Sequence, residues 1–326
     1  MNKPLFLKPA GKDYLWGGNR LNTDFAKAIP LSPLAETWEC STHPDGESVI
    51  AFGEYAGQTL RMVLREHPDW LGEHAKNDEG ELPILVKLID ARMNLSVQVH
   101  PNDSYAREFE NGQRGKDEMW YILDADKDAR LLYGLKHACA KEELYESVRS
   151  GTLEEHLQKI YIRPDDIFFI PAGIIHALGA GCLIAEVQES SNLTYRLYDY
   201  DRKDKNGHLR ELHIDKAMSV ANLADSTTPR QPMRVLRYQP ACARELLCHS
   251  SHFQVERLLL NTERHREKVT LETDRLSFRV LLCLRGCGSL SCELETTDFF
   301  KGDCVFVPAL SRFTLHGRAE FMTVRC

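Results

Sequence analysis

Short strand-like segments separated by turn residues fill most of this chain, and no other feature constrains its fold as strongly. Residues 1–130 contain segments such as "GESVIAFG" and "DEMWYILDA", which are bounded by Gly, Pro, Asn or Asp. The C-terminal part repeats the pattern, for example in "LSFRVLLCLRG" and "AEFMTVRC". Many short strands at even spacing favour a sandwich or a barrel, because closed sheets leave no exposed edges. We therefore expect a mainly β protein.

Two stretches with helical periodicity interrupt the strands. One lies around "TLRMVLREHPDWLGEHA", and the other spans residues 135–162. The second stretch carries apolar residues at helical spacing behind two acidic first turns, which predicts two short helices. We expect this helical segment to pack on the sheet of the first β-domain.

A polar, proline-bearing segment at residues 222–241 predicts a boundary between two domains. We assign residues 1–238 to the first domain and residues 239–326 to the second. The strings "DDIFFIPAGIIHAL" (165–178) and "GDCVFVPALSRFTL" (302–315) share an Asp, a Phe and a Pro-Ala pair at matching places. Because each string lies late in its β-rich region, the similarity indicates a duplicated β-domain.

The charge balance and the cysteines restrict the class of protein. The 326 residues include 41 Lys and Arg against 48 Asp and Glu, a net charge of −7, without the basic stripe of a nucleic-acid-binding protein. No apolar run approaches the ~18 residues of a membrane span, and the start lacks a signal-peptide core, so we expect a cytoplasmic protein. The ten cysteines are then expected to be free thiols, with Cys283, Cys287 and Cys292 as small buried apolar residues.

One predicted strand carries polar residues on a face that its neighbours do not explain. In "NLSVQVHPND" polar and apolar residues alternate, so Ser96, Gln98 and His100 share one face. Glu118 in the next strand and His176 after the Pro-x-Gly turn of "PAGIIHALG" add a carboxylate and a second imidazole. If these strands converge on one cavity, the donors suit Zn²⁺ or a neighbouring divalent ion in an open site.

These motifs, in this order, resemble the type I mannose-6-phosphate isomerases (phosphomannose isomerases) in their short bacterial form, a family of the cupin superfamily. The resemblance rests on "YLWGG", "ETWECSTHPDG", "SVQVHP", "GKDEMWYI", "PAGIIHALGAG" and "TYRLYDYDR". It runs from about residue 5 to about residue 215 and continues more weakly beyond that point. It implies two cupin (jelly-roll) β-domains, of which the second is degenerate.

The resemblance also implies an activity and a metal site. Members of this family interconvert mannose 6-phosphate and fructose 6-phosphate by moving a proton between C1 and C2 through an enediolate. By their places in the motifs, Gln98, His100, Glu118 and His176 would bind one Zn²⁺ per chain, with another divalent ion as the alternative. The expected partner is a sugar phosphate, with no nucleic acid and no membrane, and the expected assembly is a monomer or a homodimer.

The resemblance gives catalytic roles to three further residues. Arg196 in "TYRLYDYDR" matches the family's active-site arginine, whose guanidinium suits either enediolate or phosphate oxygens. Glu186 corresponds to a glutamate proposed as the proton-transfer base, which would need a raised pKa. Lys116 shares the strand face of Glu118, and this makes it a candidate ligand for the phosphate or a substrate hydroxyl.

Three more residues are candidates for substrate binding. Lys87 lies in the otherwise apolar "PILVKLIDA", so it either lines the pocket or pairs with Asp90. Ser41 and His43 in "CSTH" are the other two candidates.

The second β-domain is expected to bind no metal. Aligning the two Pro-Ala pairs sets Leu310 against Gly173 and Phe313 against the predicted ligand His176. A phenylalanine at this place would fill the barrel with apolar surface, so this domain should be a structural buttress.

Two other functional interpretations stay open at this point. A redox cupin, such as a dioxygenase or a decarboxylase, usually carries a His-x-His pair, and Gln98 at the first position disfavours it. A non-catalytic sugar-binding cupin needs no base, and the set of Glu186, Arg196 and Lys116 argues against it. An assay of fructose 6-phosphate formation separates the three.

Overall fold

β-Strands dominate the structure, a computed structural model that describes residues 2–203, 206–226, 229, 231, 234–263 and 267–326. The expectation of a mainly β protein is thereby confirmed. In chain order the strands are β1 (Leu5–Lys8), β2 (Ala10–Lys12), β3 (Glu36–Cys40), β4 (Val49–Ile50), β5 (Ile84–Ala91), β6 (Val97–Val99), β7 (Glu118–Ala125), β8 (Arg130–Leu135), β9 (Leu157–Tyr161), β10 (Ile167–Ile170), β11 (His176–Leu178), β12 (Cys182–Glu189), β13 (Tyr195–Tyr198), β14 (Leu236–Gln239), β15 (Cys242–His249), β16 (Gln254–Asn261), β17 (Val269–Glu272), β18 (Arg279–Cys292), β19 (Glu295–Phe300), β20 (Cys304–Val307) and β21 (Arg312–Arg325).

The helices are short and lie between the strands. They are α1 (Arg20–Phe25), α2 (Leu60–Glu66), α3 (Asp103–Phe109), α4 (Lys141–Ser150), α5 (Leu153–His156) and α6 (Ile214–Val220), with a 3₁₀ helix at Pro68–Leu71. Helices α2, α4 and α5 lie in the two stretches where the sequence predicted helices. Helices α1, α3 and α6, of six or seven residues each, were not predicted.

Two sheets form the first β-barrel. One has six strands in the order β10-β7-β12-β5-β3-β2, and the other has five in the order β13-β6-β11-β8-β9. Ile89 and Ile122 of the six-stranded sheet and Leu131 and Leu178 of the five-stranded sheet belong to one buried apolar cluster. The two sheets therefore pack face to face around a shared core.

The six-stranded sheet is buried on both faces, which explains the long apolar run of β5. All eight residues of β5 are buried. Val86 and Leu88 pack in a cluster with Val280 and Phe306 of the C-terminal region. Lys87 lies between them in sequence and so points to the opposite face, where it lines a cavity. A strand covered on both sides has to be apolar almost throughout.

Helices cover the outer face of the five-stranded sheet, as predicted. Leu144 of α4 and Leu153 of α5 share a buried cluster with Val97 and Val99 of β6. The predicted helical range 135–162 is too wide, because its first residue ends β8 and β9 occupies its end. In β9 more and less exposed residues alternate, which is the period of a strand.

A ten-stranded sheet combines the C-terminal region with two N-terminal strands. Strand β1 pairs with β20 on one side and with β4 on the other. Strands β1 and β4 therefore belong to the sheet of the C-terminal region, although the sequence assigned residues 1–238 to the first domain. Part of the predicted boundary segment, residues 222–241, lies outside the described residues, and a boundary at residue 238 stays a prediction.

The two similar strings form the same local structure. In each copy a strand, β10 or β20, runs into the Pro-Ala turn and then into the next strand, β11 or β21. Gly173 and its counterpart Leu310 both have left-handed backbone angles, with φ of 89° and 59°. Phe313, the counterpart of His176, is 1% exposed and packs in the apolar cluster of the C-terminal region. The phenylalanine thus packs in the core where the first copy has a histidine.

The cysteines are free thiols throughout the described residues. Cys283 and Cys292 are buried, as expected, but Cys287 is exposed, so its assignment as a buried residue is wrong. It lies in a stretch of three consecutive exposed residues in β18, where the strand leaves the core. Among the described residues, no helix has the length and apolar character required to cross a membrane.

Candidate metal centre

Three of the predicted site residues form one row across the five-stranded sheet. Gln98 of β6 is paired with His176 of β11 on one side and with Arg196 of β13 on the other. Residues paired directly in neighbouring antiparallel strands point to the same face of the sheet. Three residues that are distant in sequence are therefore adjacent on one face.

A second row crosses the six-stranded sheet. Glu186 of β12 is paired with Lys87 of β5 and with Trp120 of β7. Glu118 precedes Trp120 by two residues on β7 and so shares its face. Residues of both rows line one cavity of about 420 Å³. Its lining includes Lys87, Gln98, Lys116, Glu118, Trp120, Glu186 and Arg196.

Glu118 lies between the two predicted histidine ligands. Its Oε1 is 3.3 Å from Nε2 of His100, and its Oε2 is 3.6 Å from Nε2 of His176. The amide nitrogen of Gln98 lies 3.4 Å from the same nitrogen of His176. A half-turn of this amide brings its oxygen, the atom able to bind a metal, to that place. The donor atoms of the four predicted ligands thus converge on one point of the cavity wall.

Backbone carbonyls orient both imidazoles for metal binding. Nδ1 of His100 lies 2.8 Å from the carbonyl oxygen of Leu193, and Nδ1 of His176 lies 2.8 Å from that of Ile174. A nitrogen facing a carbonyl at this distance carries the proton and donates it, which leaves Nε2 as a free lone pair. Burial lowers the pKa of His100 to about 3, with a further contribution from Lys116, and burial also lowers the pKa of His176. Both side chains are therefore neutral near pH 7, as metal ligands must be.

Glu118 is a buried carboxylate that retains its charge. Burial would raise its pKa, but Lys116 and His100 lower it further than burial raises it, so that the pKa lies well below its ordinary value. Nζ of Lys116 is 2.8 Å from Oε1 of Glu118. Oε2 is buried without a hydrogen-bond partner. An ionised oxygen left in this state beside two unprotonated imidazole nitrogens, of which that of His100 lies 3.4 Å from Nζ of Lys116, fits a divalent cation.

Glu186 is held between an indole and an ammonium group. Nε1 of Trp120 donates to its Oε2 at 2.8 Å, and Nζ of Lys87 lies 3.0 Å from its Oε1. Burial raises the pKa of Glu186, whereas Lys87 opposes this rise. For Lys87, burial would lower the pKa, but Glu186 and Glu36 raise it above the ordinary value. Lys87 is thus a charged member of the cavity wall, and Asp90 pairs with Arg20 instead.

Arg196 marks the cationic side of the cavity. Its Nη1 donates to the carbonyl oxygen of Glu211, while its Nε is buried without a hydrogen-bond partner. Arg210 and Lys216 line the same cavity. Arg210 contacts the carboxylate of Asp199 with two nitrogens, at 2.7 and 2.6 Å. The cavity therefore contains two guanidinium groups and Lys216 in addition to the carboxylates, which are themselves paired with Lys87 and Lys116.

The structure does not bring Ser41 and His43 to this cavity. Ser41 is fully buried, and its Oγ accepts the backbone N–H of His43 in a turn. His43 packs edge-on against Trp38 and lines a separate surface pocket. Neither residue is among those that line the catalytic cavity, and the serine instead orders the turn after β3; their role in substrate binding stays a prediction.

Several lining residues were not identified from the sequence. They are Tyr14, Trp16, Glu36, Ser96, Glu110, Tyr195, Arg210, His213 and Lys216, among others. Glu36 and Trp16 belong to the quoted motifs "ETWEC" and "YLWGG", but nothing in the sequence indicated a chemical role for either residue. Arg210 and Lys216 lie beyond the last motif, in polar sequence that showed no signal.

Several known proteins with similar sequences or structures are mannose-6-phosphate or phosphomannose isomerases. Residues 5–130 match the family described as phosphomannose isomerase type I, catalytic domain. Two Bacillus subtilis relatives are the probable mannose-6-phosphate isomerase GmuF, 47% identical over 68% of this chain and 70% of its own, and the mannose-6-phosphate isomerase ManA, 38% identical over 98% and 97%. The solved mannose 6-phosphate isomerase of Bacillus subtilis superposes with a TM-score of 0.90 at 34% identity over 99% of both chains. A phosphomannose isomerase from Salmonella typhimurium, 17% identical over 98% of both chains, superposes with a TM-score of 0.78, which shows a shared fold.

Proposed function

This chain belongs to the type I phosphomannose isomerase family, and on that premise we propose that it interconverts mannose 6-phosphate and fructose 6-phosphate with the help of a divalent metal ion. The single observation that carries the proposal is the arrangement of Glu118, Glu186 and Arg196 around one cavity of about 420 Å³. A metal-binding carboxylate, a proton-accepting carboxylate and a guanidinium are the groups that an aldose–ketose isomerase needs.

Gln98, His100, Glu118 and His176 are the residues that would hold the ion. The buried Oε2 of Glu118, which lacks a hydrogen-bond partner, and the two unprotonated Nε2 atoms support this assignment. The donor set suits Zn²⁺, and the amide oxygen also admits other first-row divalent ions. When bound, the ion would supply positive charge that stabilises an oxygen anion of the substrate.

Glu186 is the group that we assign to proton transfer. It takes the proton from C2 of the aldose and returns it to C1, while the hydroxyl proton of O2 moves to O1, so that the product is the ketose and the carboxylate is regenerated. Its raised pKa supports this role, because a base works best when its pKa approaches the operating pH. Trp120 and Lys87 hold the carboxylate in one orientation and thereby position it against the substrate.

Arg196 is assigned to the negative charge of the substrate. Its Nε is buried and lacks a hydrogen-bond partner, so a substrate oxygen would satisfy it. The nearby Arg210 and Lys216 extend the positive side of the cavity, and we place the phosphate group there. The guanidinium of Arg196 can then contact phosphate or enediolate oxygens.

The decisive experiment is a coupled assay of fructose 6-phosphate formation from mannose 6-phosphate, run in parallel with a measurement of C2 deuterium loss to solvent. Formation of fructose 6-phosphate together with exchange supports the proposal. Oxygen consumption with bound iron would instead indicate a redox cupin. Tight binding of the sugar phosphate without turnover would indicate a non-catalytic binding protein.

A further inference from the structure

A second group of metal-type side chains lies where the C-terminal region meets the first barrel. Donor atoms of Asp103, Glu189 and His252 all lie within 4.8 Å of one another. Asp103 begins α3, Glu189 ends β12, and His252 lies in the turn between β15 and β16. The group thus joins three separate parts of the chain, and none of its members lines the catalytic cavity.

Backbone amides hold one oxygen of each carboxylate, and the other oxygen faces a side chain, which is Arg107 for Asp103 and His252 for Glu189. The amide N–H of Asp117 donates to Oε1 of Glu189 at 3.0 Å, and that of Gly115 donates to Oδ1 of Asp103 at 2.8 Å. The carboxylate of Asp117 is held in the same manner by the amide of Ala172, and its Oδ2 lies 3.8 Å from Nε2 of His252. Ligands fixed by outer hydrogen bonds in this way are typical of built metal sites.

The remaining oxygen of Glu189 is the observation that points to a ligand. Glu189 is 2% exposed, and its Oε2 is buried without a hydrogen-bond partner. This oxygen faces Nδ1 of His252 at 3.2 Å.

The turn that carries His252 is rigid. Oγ of Ser250 accepts the backbone N–H groups of both His252 and Phe253. Phe253 is 2% exposed and is anchored in the large apolar cluster that joins the two regions. The imidazole is therefore positioned before any ligand arrives, which lowers the entropic cost of binding.

We propose that Asp103, Glu189 and His252 form a structural site for a divalent transition-metal cation that ties the C-terminal region to the first barrel. Three carboxylates, with Asp117 included, surround one imidazole, so the site is anionic even when that imidazole is protonated. The nearest cation to Asp103 is the exposed Arg107, at 3.7 Å. One nitrogen and two or three oxygen donors suit Zn²⁺, Mn²⁺ or Co²⁺.

The proposal changes the expected metal content of the protein. The sequence predicted one ion per chain and no ligand from the C-terminal region, whereas this site would bring the content to two and would use His252. It is independent of the proposed isomerase activity, because no residue of the cluster contacts the catalytic cavity.

The test disables one metal site at a time by substitution and measures the number of metal ions bound per chain. The variant His176→Gln disables the catalytic site, and His252→Ala or Glu189→Gln disables the site proposed here. His249→Ala is the matched control, because this exposed histidine ends β15, three residues before His252. Each purified protein is stripped with a chelator, titrated with Co²⁺ and then with Zn²⁺, and analysed for metal per chain, for the Co²⁺ absorption spectrum and for the thermal unfolding midpoint.

We expect about two ions per chain in the wild type and in His249→Ala, and about one in each of the other variants. In His176→Gln, Zn²⁺ should still raise the unfolding midpoint, and adding His252→Ala or Glu189→Gln should abolish this rise. The isosteric Glu189→Gln change keeps the test valid if the alanine variant fails to fold. One ion in the wild type, with none retained by His176→Gln, would overturn the proposal and leave His252 as a contact between Glu189 and Asp117.

Discussion

Glu186 lies directly opposite Lys87 on the neighbouring strand, and their charged groups are 3.0 Å apart in a wall where both residues are at least 96% buried. A buried ion pair of this kind is costly to desolvate and adds little to stability compared with an apolar pair. Its place beside the cavity agrees with the proton-transfer role that we propose for Glu186, because that role uses a fixed carboxylate of raised pKa.

Replacement of Glu186 by Gln should separate proton transfer from binding. The amide keeps the shape of the side chain but cannot take the C2 proton, so exchange of that proton with solvent should fall by about 10²-fold or more. Metal content and substrate binding should remain, because Glu186 is not a proposed ligand. The checks are solvent exchange by NMR, metal analysis and calorimetric titration. Unaltered exchange would move the proton-transfer role to another group.

Removal of the catalytic metal should abolish activity. Exhaustive chelation should eliminate fructose 6-phosphate formation, because the ion supplies the positive charge that stabilises an oxygen anion of the substrate. Addition of Zn²⁺ or another divalent ion should restore the activity, because the four proposed ligands suit such ions. The Glu118→Gln variant should not regain activity when the metal ion is added back. Full activity in protein verified as metal-free would disprove the metal requirement.

Arg196→Lys should reduce turnover by about 10²-fold or more. The substitution keeps the positive charge but loses the planar fork that matches paired oxygens. Arg149→Lys on the exposed face of α4 is the control and should have wild-type activity. Steady-state kinetics with metal content measured in parallel test this, and near wild-type turnover would assign Arg196 to a structural role.

Asp199→Asn should destabilise the protein and reduce its sensitivity to acid. Asp199 is paired with Arg202 and Arg210, and its loss should cost about 2–3 kcal/mol, because two partly buried cations lose their partner. Burial opposes ionisation of Asp199, but the two arginines lower its pKa below the ordinary 3.8. The unfolded chain therefore takes up the proton first as the pH falls, so this contribution is present above about pH 4 and is lost below it.

Urea unfolding at pH 7 and at about pH 3 measures both effects of Asp199→Asn. The wild type should lose more stability than the variant between the two values, and the exposed Asp201→Asn should behave like the wild type. Equal losses in the wild type and in Asp199→Asn would contradict the assignment.

Leu310→Gly should stabilise the protein by about 1 kcal/mol. Leu310 is exposed and has a φ of 59°, a left-handed conformation that a side chain with a Cβ resists and glycine does not. Leu294→Gly is the matched control, since this leucine is also exposed but lies outside the left-handed region. Thermal and urea unfolding of the two variants should differ in sign, and destabilisation by Leu310→Gly would show that the turn is not strained.

The sequence alone determined which residues face the cavity within each strand. Alternation placed Gln98 on the face opposite Val97 and Val99, and the Pro-x-Gly turn placed His176 at the start of β11. These features depend on the period of a strand and on the backbone angles of a turn, which are set by residues a few positions apart. For the same reason the repeat could be aligned, and Phe313 could be predicted to fill the core.

Only the tertiary structure decided which of those faces meet. Lys87 contacts Glu186 and Gln188, the latter 101 positions away, and the sequence left it undecided between the pocket and Asp90. His252 reaches Glu189 because the C-terminal sheet docks on the six-stranded sheet, and β1 joins the C-terminal sheet by pairing with β20. Pairings of this kind depend on strand register and on how the sheets bury their apolar faces together, and no local pattern in the sequence encodes these two factors.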